Sequence, residues 1–155
     1  MNNIDERLTA EGITLPDAPA PAANYVPFIK TGNLVVISGQ LPFSDGKVKF
    51  KGRLGDTVVV EEGIQSARLC AINLLANLKV ACGGDLSKVT RVVRLGGFVA
   101  ATPEFEQHPA VINGASDLMA SIFGDAGAHA RAAVGVASLP LGASVEVEGM
   151  FEVNE

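Results

Sequence analysis

The chain reads as an α+β domain in which a mixed sheet carries two helices on one face. Three observations point there. Its 155 residues and 48% hydrophobic content suffice for one domain with a real core, and are too apolar for a disordered chain. Two stretches, 57–81 and 111–123, repeat apolar residues at helical spacing, whereas the others are short, β-branched and bounded by Gly, Pro or Asn. The resulting order, β-β-β-α-β-α-β-β, lacks the strict strand-helix alternation of a parallel α/β sheet.

In chain order, residues 4–12 predict a short amphipathic helix, with Ile4 and Leu8 one turn apart and Gly12 as its stop. Residues 15–23 alternate Pro and Ala (Pro16, Pro19, Pro21), which predicts an extended surface connector. Residues 1–24 are therefore a helix and connector belonging to a single domain that spans 1–155. A strand at 25–30 and a turn at Thr31-Gly32-Asn33 lead into a second strand at 34–38. That strand is apolar on both faces, so it calls for a central place in the sheet with cover on both sides, from helices or from another subunit. Ser44-Asp45-Gly46-Lys47 predicts a turn before a short edge strand at 48–50.

The helix over 57–81 presents Ile64, Ala67, Ala71, Leu74, Leu75 and Leu78 as one stripe, with Asp56 or Thr57 as its cap and Gly83-Gly84 as its stop. A strand follows at 88–101, interrupted by Gly96-Gly97 where a bulge or a close backbone contact fits. The second helix, 111–123, turns Leu118, Met119, Ile122 and Phe123 inward and ends at Gly124. Two final strands, 131–137 and 144–153, are joined by Leu139-Pro140-Leu141-Gly142.

Charge and missing motifs narrow the function. Twelve basic against seventeen acidic residues give a net charge of −5, the wrong sign for coating a phosphate backbone, so no nucleic-acid partner is expected. The polar start lacks a secretory signal and no segment is apolar for the length of a membrane span, which predicts a soluble cytoplasmic protein with no membrane partner. The phosphate-loop, dinucleotide-turn, paired-histidine and Cys-x-x-Cys patterns are absent, so neither cofactor nor metal is expected. Cys70 and Cys82 fall on the long helix about three turns apart and read as core thiols.

Arg131 is the most informative single residue. It opens an apolar run of small side chains, where a guanidinium that cannot lose its proton requires an anionic or carbonyl partner and offers a fork to a carboxylate ligand. The competing reading pairs it with Glu146 or Glu148 of its own chain. Those two acids share one face of the last strand, opposite Val145, Val147 and Phe151. That face is either solvated or closed against a neighbouring subunit near Arg131, where one acid can hold or deprotonate a water. His108 and His129 read as loop residues, and Tyr25, the only tyrosine, as packing or as a hydroxyl reaching a ligand.

Three segments carry a resemblance to a known family: Asn-Leu-Val-Val-Ile-Ser-Gly-Gln-Leu-Pro at 33–42, Arg-Ala-Ala-Val-Gly-Val-Ala-Ser-Leu-Pro at 131–140 and Val-Glu-Val-Glu at 145–148. Together they resemble the RidA/YjgF family, also described as endoribonuclease L-PSP, over about 25–153. The N-terminal helix and Val-Ile-Asn-Gly-Ala-Ser-Asp-Leu at 111–118 resemble a longer subgroup. The resemblance implies a chorismate-mutase-like fold assembled as a homotrimer, with ligand clefts between subunits. It implies hydrolysis of reactive enamine or imine intermediates such as 2-aminoacrylate and 2-iminopropionate, giving a 2-keto acid and ammonia. It places the family's essential arginine on Arg131, the water-associated glutamate on Glu146, the aromatic hydroxyl on Tyr25, and the cleft's Ser-Gly on Ser38 and Gly39. Ala133 stands where active members carry Cys, and Ser116, or Asn113 by a shift of register, stands where they often carry Asn.

The chemistry suits these residues. An imine of a 2-keto acid has a carboxylate beside an electrophilic carbon; Arg131 can anchor the acid and bring that carbon into line, while Glu146 orients water. The alternative is a non-catalytic trimeric protein that binds small carboxylates or regulates through them. An RNA-cleaving activity is disfavoured by the acidic balance and the absence of a histidine pair.

Overall fold

The computed structural model describes residues 4–18 and 24–154. Strands β1 (Phe28–Thr31), β2 (Leu34–Gln40), β5 (Val89–Ala100), β6 (Ala130–Val136) and β7 (Val145–Val153) form one sheet in the order β1-β2-β7-β5-β6. A two-stranded ribbon, β3 (Phe43–Ser44) with β4 (Lys47–Val48), stands apart at the expected turn. The helices are α1 (Ile4–Ala10), α2 (Val60–Ala81) and α3 (His108–Phe123). All neighbours in the large sheet are antiparallel except β5 and β6, which run parallel because α3 crosses back between them. This crossover leaves β6 at the sheet edge beneath α3.

Helices α2 and α3 cover one face of the sheet, burying Ala67, Ala71, Leu74, Leu75 and Leu78 of α2 and Leu118, Met119, Ile122 and Phe123 of α3 against Val35, Leu95, Val147 and Phe151. Their crossing is tight: a Cβ on Gly114 would run into the backbone carbonyl of Ile64, so only glycine permits this approach. The first helix belongs to the same body, since Leu8 is buried, Arg7 donates to the Ile122 carbonyl at 3.1 Å and Arg68 reaches Glu11 at 3.3 Å. The Pro/Ala connector lies partly outside the described residues, which lack 19–23.

Several local expectations are corrected. Neither Asp56 nor Thr57 caps α2. Val59 is the N-cap, and Glu62, one turn inside, accepts its backbone N–H at 3.2 Å. The first sheet strand begins at Phe28 rather than Tyr25, because Pro27 has no N–H for the ladder. Pairing of β5 with β7 runs unbroken through Gly96-Gly97, so those glycines serve close contact rather than a bulge; Ile112 and Glu148 crowd them from opposite sides. His108 opens α3 instead of lying in a loop, with its ring edge-on to Phe105 at 5.3 Å.

The two-sided apolarity of β2 has an explicit outcome. Val35 and Ile37 are buried under the helices, whereas Val36 on the other side is 39% exposed, and its open face continues through Ile29 and Val134 at 54% and 45%. Helices cover only half of what the sequence asks to have covered. Among the described residues no helix is long and apolar enough to cross a membrane.

Candidate functional site

The sequence-derived site residues fall into two clusters on opposite faces of the sheet. Register decides the sides: Arg131 stands opposite Leu95, which is buried under the helices, whereas Glu146 stands opposite Phe98, and Glu148 crowds Gly96, on the open face. The expectation that Arg131 pairs with Glu146 or Glu148 of its own chain is therefore overturned. Glu148 instead pairs with Arg94 at 3.3 Å.

In the first cluster α3 lies over β6 and presents acceptors to the guanidinium. Arg131 Nη1 donates to Asn113 Oδ1 at 2.8 Å and to Ser116 Oγ at 3.1 Å, and Nη2 donates to the Pro109 carbonyl at 3.3 Å. Asn113 and Ser116 lie three apart on one helical face, so both positions left open by the sequence touch the arginine. Every one of these partners is neutral, and among the described residues no carboxylate lies within ion-pair distance of Arg131. A guanidinium has five N–H donors, so the half-buried cation keeps free donors and no counter-charge. Ala133, two residues on, packs against the core on the same side.

The second cluster gathers on β2 and β7. The pairing of these strands shifts register between Ile37 and Gln40, placing Ser38 and Gly39 in a bulge. Ser38 is tied to the segment before β1, its hydroxyl donating to the Val26 carbonyl at 2.8 Å and its N–H to the Pro27 carbonyl at 2.9 Å. Tyr25 lies beside that segment, 46% exposed. Gly39 makes room for Glu146, because a Cβ there would overlap the Glu146 carboxylate. Glu146 itself has no hydrogen bond or ion pair among the described residues, and half-burial, followed by the nearby Glu148 charge, pushes its carboxyl above the usual carboxylate range.

One supporting residue, Asn73, lies outside the sequence-derived set, and His129, which the sequence reads as a loop residue, does lie in the loop before β6 but makes contacts that no spacing shows. Asn73, buried in α2, donates to the carbonyls of Leu41 and Phe43 at 3.0 and 3.1 Å and so holds the chain as it leaves the bulge. Its signal is an asparagine set among Ala71, Leu74 and Leu75 in the apolar part of the helix. His129 bonds Ser116 and the Gly127 carbonyl at 2.8 and 2.6 Å. Spacing offered no signal for it, because the contact is tertiary. Cys70 is fully buried against the Val145 carbonyl, and desolvation pushes its thiol far up, which leaves it unreactive. Clefts of about 300 and 400 Å³ lie elsewhere, the first beside Pro16 and Phe43, the second between Arg53 and His108.

A family model described as "YjgF/chorismate mutase-like, putative endoribonuclease" matches residues 5–152, a span that includes both clusters. The chain belongs to the YjgF family. Its α+β fold is the family's chorismate-mutase-like fold. Among relatives, Protein TCP17 of Trypanosoma cruzi is 48% identical over 92% of this chain and 89% of that protein. The crystal structure of the protein Atu1372 from Agrobacterium tumefaciens superposes with a TM-score of 0.92 at 52% identity, covering 97% of this chain and 92% of that one. A 2-iminobutanoate/2-iminopropanoate deaminase of Dermatophagoides farinae is 30% identical over 92% of this YjgF-family chain and 95% of its own length.

Proposed function

We propose that this chain hydrolyses the reactive imine or enamine of a small 2-keto acid to the keto acid and ammonia, in clefts between the protomers of a homotrimer. The observation that carries the reading is Arg131: a half-buried cation held in place by neutral acceptors and left without a counter-charge among the described residues. Such a group binds a carboxylate through two parallel N–H bonds, and little rearrangement is needed because its neighbours already fix its plane. The substrate's carboxylate occupies the fork, with Ser116 and Ala133 beside it.

Glu146 then orients water at the carbon next to that carboxylate. Its surroundings support this, since a half-buried carboxyl with no partner among the described residues has both oxygens open to accept from a water. Because Arg131 and Glu146 lie on opposite faces of one sheet, the reading draws them from different copies: Arg131 with Ser116 from one, and Glu146, Gly39, Ser38 and Tyr25 from the next. The exposed Ile29, Val36 and Val134 supply an apolar face for that contact. The deaminase named among the relatives acts on this class of substrate.

The test is ammonia release from 2-iminopropionate generated in situ. The parent protein accelerates it and Arg131→Ala abolishes the acceleration. A parent that binds pyruvate without accelerating the reaction favours the second reading, a carboxylate-binding trimer without turnover. Ala133 supports that reading, since a methyl there offers no reactive or hydrogen-bonding group.

A further inference from the structure

Ser116 lies between Arg131 and His129, and its hydrogens can be placed by elimination. The Gly127 carbonyl only accepts, so His129 Nδ1 carries the proton in their 2.6 Å contact. In the neutral ring Nε2 is then the acceptor, and the Ser116 hydroxyl donates to it across 2.8 Å. Arg131 Nη1, which can only donate, fills an acceptor position on the same oxygen at 3.1 Å. The result is a hydroxyl facing an imidazole whose far nitrogen is fixed by a carbonyl, the order of groups that moves protons in general base catalysis. A protonated ring would donate to Ser116 instead, and the hydroxyl, already accepting from Arg131, would have to turn its own proton outward.

We propose that Ser116 and His129 form a proton path on the guanidinium side of the site. Ser116 touches the substrate, and His129 is the positioning residue behind it that stores the proton. The inference rests on the imine-hydrolysis reading. Water adds to the carbon of the protonated imine, forming the C–O bond while the π pair moves onto nitrogen. One water proton passes to Ser116 Oγ as the serine's own proton passes to His129 Nε2. The path run backwards delivers that proton to nitrogen. The C–N bond then breaks with its electron pair on nitrogen, and the remaining hydroxyl proton leaves with it, so protonated imine and water become keto acid and ammonium.

The experiment compares parent, His129→Gln, Ser116→Ala and Ser116→Thr in ammonia release, with pyruvate binding measured alongside and thermal unfolding to confirm folding. His129→Gln is expected to lower kcat about 100-fold while KM and the pyruvate Kd stay within about twofold, because an amide can hold Ser116 but stores no proton. Ser116→Ala falls equally, Ser116→Thr keeps most of the rate, and free imidazole partly restores a His129→Gly protein. The proposal is overturned if His129→Gln keeps the parental kcat, or if it loses pyruvate affinity in step with kcat, which would make His129 a prop for Arg131 alone. A parent that accelerates nothing removes the imine reading and the proton path together. An active parent with an indifferent His129→Gln removes only the path.

Discussion

The cluster around Arg131 and the cluster around Glu146 differ in how completely their own chain satisfies them. The guanidinium is held by Asn113, Ser116 and the Pro109 carbonyl, and Ser116 is held in turn by His129. The glutamate has room made for it by Gly39 but has no partner among the described residues, and its neighbour Glu148 is already engaged by Arg94. One half is preorganised around a missing negative charge. The other is an acid kept partly dry with nothing to do in the single chain. A rigid anchor on one face of the sheet and an unpartnered acid on the other are suited to separate tasks, holding a small anion and orienting a water.

The strongest way to break this comparison is to separate its halves. Arg131→Ala and Glu146→Gln chains are each expected to be inactive, yet refolded together at equal amounts they should recover about a quarter of the parental rate. In the proposed homotrimer with sites shared between copies, every mixed trimer holds one intact pairing of three, and three quarters of random trimers are mixed. Recovery of nothing would place both residues of each site on one copy. Next in size, Arg131→Lys should lose about 100-fold in ammonia release, because a point charge replaces a planar fork. Gly39→Ala sharpens the contrast: it displaces the Glu146 carboxylate and should cost about tenfold or more in rate while pyruvate binding at Arg131 holds.

Two stability measurements come last. Gly114→Ala pushes α3 from α2 and should destabilise by about 1–3 kcal/mol in denaturant unfolding, loosening Asn113 and Ser116 as it does so. For Glu146 the sign follows from its raised carboxyl. The folded chain binds this proton more tightly than the unfolded chain, so the contribution to stability is greatest below the ordinary carboxylate range and is lost as pH rises through the folded value. Glu146→Gln should therefore gain on the parent from acid to neutral pH, by less than about 1 kcal/mol, while losing activity.

Much of this was legible in the sequence because it depends on spacing within one element. The stripe of α2, the inward residues of α3 and the opposite aspects of Val35 and Val36 all follow from helical or strand period. What period cannot give is which face of the sheet a parity belongs to. Arg131 and Glu146 each have a clear side within their own strands, but whether the sides agree depends on register between β5, β6 and β7, and they disagree. Contacts between elements were hidden for the same reason. Ser116 meets His129 only because α3 returns over β6, and Asn73 meets Leu41 only because α2 passes the bulge. Neither Asp56 nor Thr57 caps α2 because the helix begins only at Val60, leaving Val59 at the cap position with its N–H donated to Glu62.

Asn73 has a broader implication. From inside the protein it grips two carbonyls of the strand exit, yet the bulge it steadies makes room for a carboxylate on the sheet's far side. A volume change deep between helix and sheet, remote from any bound molecule, would thus be felt as a shift in where that acid points. Tuning of such a site need not touch its surface at all: the adjusting screw is in the interior.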